Sequence, residues 1–292
     1  MKKLILLSLF VFHFIGCGDS QNKKNEPSDP SIDTLSYCKS LPLGNRPITY
    51  CVDTDEISAR KFMPSRVIYF FHGINGSATD LFKGELAQVL KSVKSTMGNL
   101  SPIFVGLSVG QQGLLKKNEA ADLNQIIFPE IEVRLGFRSE PQRDLIGLSM
   151  GGHNALVASH GDKSRIQNLH LLCPALINFN PFEQNEISQY IARHSNMDLP
   201  FLQKVLSLFQ QEFPNFEDWN TNNPFALLEQ GDYQHLKSIF ISVGRRDTLG
   251  FDEGSLSFFR NANKAGLKVR TALVDGKHCA FDRVRLTLAI IN

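Results

Sequence analysis

Residues 66–71 (RVIYFF) are an unbroken run of β-branched and aromatic positions that stops at His72-Gly73. A run of that length, closed by turn residues, predicts a buried strand. Over 81–97 the period changes. Phe82, Leu86, Val89, Leu90, Val93 and Met97 recur on one face of a helix. The alternation then repeats. Residues 102–107 (PIFVGL) read as a strand, and 119–135 as a helix with Leu123, Ile126, Ile127, Ile131 and Leu135 at helical spacing. Pro129 lacks a donor N–H and should kink or split that helix. A short strand over 143–148 leads into a short helix over 151–160, which Gly161 stops. Further strands fall at 169–173, 238–243 (SIFISV) and 269–274 (VRTALV). A helix over 256–265, ended by Gly266, separates the last two. The tail, 282–291, places Val284, Leu288 and Ile291 on one face.

Strands that alternate with amphipathic helices predict an α/β fold: a mostly parallel central sheet with helices on both faces. No internal repeat is evident. Residues 178–233 interrupt the alternation. They carry helical patterns (Ile187, Tyr190, Ile191, then Leu202, Val205, Leu206, Phe209) and no strand signal. The stretch reads as a helical insertion, or cap, over the C-terminal edge of the sheet. Ligands bind at that edge in open α/β sheets.

Of the 292 residues, 42% are apolar, enough for a sizeable core in one domain. The net charge is +2, with Lys and Arg interleaved among Asp and Glu. That distribution argues against a nucleic-acid partner, which calls for a clustered basic face. The N-terminus has its own pattern. Lys2 and Lys3 precede an apolar run to Ile15, followed by Gly16-Cys17-Gly18-Asp19. The run is shorter than the about 20 residues a membrane span needs, and its flanks are those of a signal peptide. We therefore expect a signal peptide over 1–16. The string Phe14-Ile15-Gly16-Cys17 resembles a bacterial lipobox, which implies lipidation of Cys17 as the first mature residue. Residues 17–34 are polar and Pro-containing, a flexible tether. The folded domain is expected over 35–292. The chain would thus be exported to a bacterial cell envelope and held to a membrane by its lipid, at the outer membrane if the organism has two.

Four further cysteines fit an exported protein. Cys38 and Cys51 flank a Pro/Gly/Asn-rich turn, so a hairpin could bring them within bonding reach in an oxidising compartment. Connectivity cannot be read from sequence, and the pair is left open. Cys173 sits in an apolar run and reads as a small buried hydrophobe. No Cys or His pair has zinc-ligand spacing, so no metal is expected.

The chemistry falls at strand ends. Gly147-Leu148-Ser149-Met150-Gly151 is a G-x-S-x-G string with a strand before it and a helix after it. That context makes Ser149 a candidate nucleophile on a sharp turn, and the N–H of Met150 a candidate oxyanion donor. A serine hydroxyl needs a base. Among the later histidines only His278 follows the last strand. His153 lies in the helix behind the serine, and His170 lies within a strand. The acid belongs after the penultimate strand, at Asp247 in Val243-Gly244-Arg245-Arg246-Asp247. Asp252, Glu253 and Asp275 compete with it. The loop His72-Gly73-Ile74-Asn75-Gly76 offers Ile74 N–H as the second oxyanion donor.

Taken in order, FFHGINGS, RDLIGLSMGGHNAL, FISVGRRD and VDGKH resemble the esterase D / enterochelin-esterase-like branch of the α/β-hydrolase superfamily. The likeness extends over 66–292. It implies an α/β-hydrolase fold, a Ser149–Asp247–His278 triad, and hydrolysis of a small-molecule or polysaccharide-linked carboxylic ester through an acyl-enzyme, with no cofactor. Ile74 stands where that branch often has Gly. Cys279-Ala280-Phe281 stands where it has an aromatic after the His. An acyltransferase on the same fold, a peptidase, and a non-catalytic surface-binding lipoprotein are the competing readings.

Overall fold

The computed structural model describes residues 36–53, 64–160, 162 and 165–292. The expected signal peptide, Cys17, the tether and Gly161 all lie outside the described residues.

The strands in chain order are β1 (Ser36–Leu43), β2 (Arg46–Asp53), β3 (Arg66–Phe71), β4 (Ile103–Ser108), β5 (Gln142–Leu148), β6 (Ile166–Leu172), β7 (Ser238–Gly244) and β8 (Val269–Val274). They form one sheet in the order β1-β2-β4-β3-β5-β6-β7-β8. The pairs from β4 through β8 are parallel, while β1 with β2 and β2 with β4 are antiparallel. The chain therefore enters the sheet at one edge through a hairpin. In that hairpin Cys38 faces Cys51, and the two are joined by a disulfide.

The helices are α1 (Gly84–Met97), α2 (Lys117–Asp122), α3 (Phe128–Arg134), α4 (Met150–His160), α5 (Gln184–Arg193), α6 (Leu199–Glu212), α7 (Phe216–Asn222), α8 (Pro224–Glu229), α9 (Phe251–Lys264) and α10 (Arg283–Ile291). The helix expected over 119–135 is broken as Pro129 requires. A π-helical turn, Leu123–Ile127, separates α2 from α3 and puts Pro129 in the first turn of α3, where no N–H is needed.

Period-two alternation sorts each strand between two layers. Val67, Tyr69 and Phe71 of β3 join Leu156 of α4 on one face. Ile68 and Phe70 join Val89 of α1 and Leu286 of α10 on the other. Between β6 and β7 the described chain is helical, from α5 to α8. Leu202, Leu206 and Phe209 of α6 pack with Met150 and Leu249 in a third cluster. Met150 follows β5 and Leu249 follows β7, so this cluster lies at the C-terminal edge of the sheet.

Candidate active site

β5 ends at Leu148, and α4 begins at Met150. Ser149, alone between them, has φ +54, a left-handed conformation costly for a residue with a Cβ. The turn is held from both sides. Ser149 N–H donates to Leu172 O at 2.9 Å, and Ser149 O accepts from Ala175 N–H at 2.9 Å. A Cβ at Gly151 would run into the carbonyl oxygen of Phe71, so the elbow closes only with glycine there. The result lifts the Ser149 hydroxyl off the sheet at the start of α4, where the first N–H groups have no intrahelical partner.

Ser149 Oγ lies 2.9 Å from His278 Nε2, although 129 residues separate them. His278 Nδ1 lies 2.8 Å from Asp247 Oδ2. A carboxylate only accepts, so Nδ1 carries the proton and Nε2 is left to accept from the serine. The Asp247 side chain is fully buried, and its second oxygen accepts from Leu249 N–H at 2.8 Å. That bond fixes the carboxylate's direction.

The competing acids are placed otherwise. Asp275 is exposed and pairs with Arg246 at 3.0 Å. Asp252 and Glu253 stand in the first turn of α9. Burial, and then the charge of Asp247, push the Asp252 carboxyl above its ordinary range. Glu253 pairs with Arg193 at 3.1 Å. His153 is buried edge-on to Phe209, and His170 is buried within β6; neither bonds to Ser149.

The loop after β3 runs beside the elbow. A Cβ at Gly73 would stand 3.4 Å from Ser149 Cβ, so this backbone runs within van der Waals range of the nucleophile. Asn75, at φ +62, donates its N–H to Gln111 O at 2.8 Å. Gly76 N–H donates to Gly73 O at 3.0 Å. Among the described residues no carbonyl accepts from Ile74 N–H, in the loop beside Ser149. His72 backs the loop, with Nε2 2.7 Å from Ser108 Oγ. Burial holds the His72 imidazole below its usual pKa, in the neutral form.

Solved structures resemble this chain over nearly its whole length. A ferulic acid esterase superposes with a TM-score of 0.56 at 16% identity, covering 88% of this chain and 94% of its own. The Pyrobaculum calidifontis esterase gives 0.60 at 15% identity, covering 88% and 84%. An S-formylglutathione hydrolase from Agrobacterium tumefaciens gives 0.51 at 14%, covering 88% and 91%. The fold is that of the α/β-hydrolases. No family profile matches the sequence, and no curated protein matches it either.

In this α/β-hydrolase fold the insertion grips both loops of the site. Tyr190 of α5 donates its hydroxyl to Leu249 O at 2.8 Å, beside the Asp247 turn. Lys204 of α6 donates to Asn75 Oδ1 at 3.1 Å, beside Ile74. Phe251 packs edge-on against the His278 ring, centroids 5.5 Å apart. None of these three partners carries a sequence signal, because each acts through a contact between distant segments.

One expectation is corrected. Cys173 is buried, but it is not a free hydrophobe: it is disulfide-bonded to Cys279, the residue after His278. Both sulfurs and a His278 nitrogen lie within 4.8 Å of one another. With the sulfurs bonded to each other, the group offers no thiolate to a metal.

Proposed function

We propose that the chain is a serine carboxylic-ester hydrolase that works through an acyl-enzyme. The observation that carries this reading is the continuous Ser149–His278–Asp247 hydrogen-bond chain at the C-terminal edge of an α/β-hydrolase sheet. Ser149 Oγ attacks the ester carbonyl carbon while His278 Nε2 takes its proton. The carbonyl oxygen becomes an oxyanion facing the N–H groups of Met150 and Ile74. The C–O bond to the alcohol breaks, and His278 returns its proton to the leaving oxygen. Water then enters, loses a proton to His278 and attacks the acyl carbon, and Ser149 departs with that proton. Asp247 holds the imidazole tautomer throughout and balances the imidazolium charge. The acyl group would rest against the partly buried apolar side chains beside the site, Ile74 among them, with the Met150–Phe209 cluster behind them.

The motif order supports a place in the esterase D / enterochelin-esterase-like branch, acting on small-molecule or polysaccharide-linked esters. The likeness to a ferulic acid esterase and an S-formylglutathione hydrolase agrees with an ester substrate. Export and lipidation at Cys17 complete the reading. Their support is the N-terminal sequence pattern together with two disulfides, bonds that persist in oxidising compartments.

A fluorophosphonate probe tests the core of the proposal. It should label the wild-type chain at Ser149, and Ser149→Ala should lose both labelling and hydrolysis of chromogenic esters. Labelling that survives in Ser149→Ala would remove Ser149 as nucleophile. For the anchor, mass spectrometry of the mature protein should find a lipidated Cys17, and Cys17→Ser should release the protein from membranes. An unmodified N-terminus elsewhere would refute it.

A further inference from the structure

Four non-glycine residues among those described have positive φ: Asn75 (+62), Ser149 (+54), Cys173 (+44) and Cys279 (+64). Asn75 is in the candidate oxyanion loop, and Ser149 is the candidate nucleophile. The other two are the halves of one disulfide. Left-handed conformations of this kind persist only where the surroundings over-determine them, and they gather at functional sites.

The location of that disulfide gives the strain a purpose. Cys173 is the first residue after β6, and its N–H donates to Ser242 O at 2.6 Å. Its neighbours bracket the elbow. Leu172 O accepts from Ser149 N–H, and Ala175 N–H donates to Ser149 O, each at 2.9 Å. Residues 172–175 are therefore the backbone strut of the nucleophile. At the other end, Cys279 is bonded through the chain to His278. The S–S bond thus makes a covalent path from the strut that holds Ser149 to the residue that carries its base.

The loop that presents His278 is otherwise held by noncovalent contacts: His278 itself meets Asp247, Ser149 and the Phe251 ring, and Arg245 N–H donates to Val274 O at 2.8 Å. Arg246 N–H donates to Gly276 O at 3.0 Å, and Ala280 N–H donates to Lys277 O at 3.1 Å. Asp275 and Lys277 are exposed. Among the ties named here, the disulfide is the covalent one, and it joins the loop to the end of β6 directly. Cys173 is fully buried, but Cys279 is only half-buried, so a reductant can reach the bond from its side.

We propose that the Cys173–Cys279 disulfide is a positioning element for the base, and that its oxidation state sets the turnover of the enzyme. The proposal rests on the ester-hydrolase reading above. Reduction by a water-soluble phosphine breaks the S–S bond. One sulfur is attacked by phosphorus, water supplies the oxygen of the phosphine oxide, and two thiols result. Oxidised glutathione reverses the step, forming the protein disulfide and two molecules of glutathione thiol. In the reduced state every reacting group remains, but His278 is no longer tied to the Ser149 strut.

The test uses the full chain in oxidised, phosphine-reduced and glutathione-reoxidised forms, with thiols counted by mass spectrometry. The variants are Cys173→Ala/Cys279→Ala and Cys38→Ser/Cys51→Ser. Each sample is assayed for kcat and KM on a chromogenic ester and for the rate of fluorophosphonate labelling. Opening this bond should lower kcat by about 10- to 100-fold, the cost of a small misplacement of a reacting group. KM should stay nearly constant, since opening the bond removes no side chain that would contact the substrate. Labelling should slow in parallel, and reoxidation should restore both. The Cys173→Ala/Cys279→Ala protein should match the reduced form, and Cys38→Ser/Cys51→Ser should match wild type. Full kcat in the reduced chain and in Cys173→Ala/Cys279→Ala would overturn the proposal and leave the hydrolase standing. So would parallel loss of kcat, KM and near-ultraviolet dichroism, which marks a purely structural bond. No labelling even of the oxidised chain would overturn the hydrolase reading, and this proposal with it.

Discussion

At the scale of single residues, the site separates acids that look alike in sequence. Asp247, Asp252 and Asp275 all lie within reach of the His278 loop along the chain. Only Asp247 has a fully buried side chain bonded to the imidazole, at 2.8 Å. Asp247→Asn should keep the fold while permitting the wrong imidazole tautomer. Turnover should fall by about four orders of magnitude, as in the serine-protease precedent. Asp275→Asn loses only an exposed pair with Arg246 and should change kcat little, since such pairs contribute about 1 kcal/mol or less. Steady-state kinetics on one chromogenic ester checks both variants, and a mild Asp247→Asn would displace the acid assignment. The sequence was informative here because Ser149, Asp247 and His278 each sit at a strand end, and strand ends are local features. It was uninformative about Cys173, whose partner lies 106 residues away.

At the scale of elements, two packing details decide whether the scaffold holds. The β5–α4 elbow has no space for a side chain at Gly151, which faces the Phe71 and His72 carbonyls. Gly151→Ala must push α4 away from β3, which should destabilise the fold by about 1–3 kcal/mol and lower kcat. Denaturant unfolding together with kinetics checks it, and a protein unchanged in both would show that the elbow yields. Behind the sheet, Arg143 of β5 is wholly buried. Its Nε and Nη2 reach Glu132 at 2.6 and 2.9 Å, and its Nη1 reaches Asp162 at 2.7 Å. It also stacks over Phe128. Arg143→Leu would leave Glu132 and Asp162 with Arg165 as their remaining cation, at a cost of about 1–3 kcal/mol. Chemical denaturation should show that loss, with Glu132→Gln partly restoring stability in the Arg143→Leu background.

At the scale of the whole molecule, buried histidines make stability depend on pH. Burial holds His153 down to about 3 and His170 down to about 4. Asp144 opposes the shift at His170, while Arg66 and Arg270 add to it. In the unfolded chain both titrate near about 6.5. Between those values the unfolded state binds more protons than the folded one. Stability is therefore complete above about pH 6.5 and is lost as the pH falls toward 4 and then 3. Melting temperatures taken from pH 7 to pH 4 should fall steadily for the wild type. The His153→Leu/His170→Leu variant should fall less steeply, and an equal slope would assign the acid sensitivity to other groups.

The sequence by itself determined the α/β class, the order of strands and helices from Arg66 onward, the strand–turn–helix setting of Ser149, and the helical break in the alternation. All of these follow from periodicity and turn stereochemistry, which act over a few residues. Tertiary structure decided the rest: the placing of β4 between β2 and β3, the antiparallel entry of β2, the grip of Tyr190 and Lys204 on the two loops of the site, and the bond between Cys173 and Cys279. Each joins segments far apart in the chain. Hydrophobic spacing reports which face of most elements is covered, though not in α10, where Val284 and Leu288 are exposed and Leu286 and Ile290 buried. It never says which distant segment covers a face.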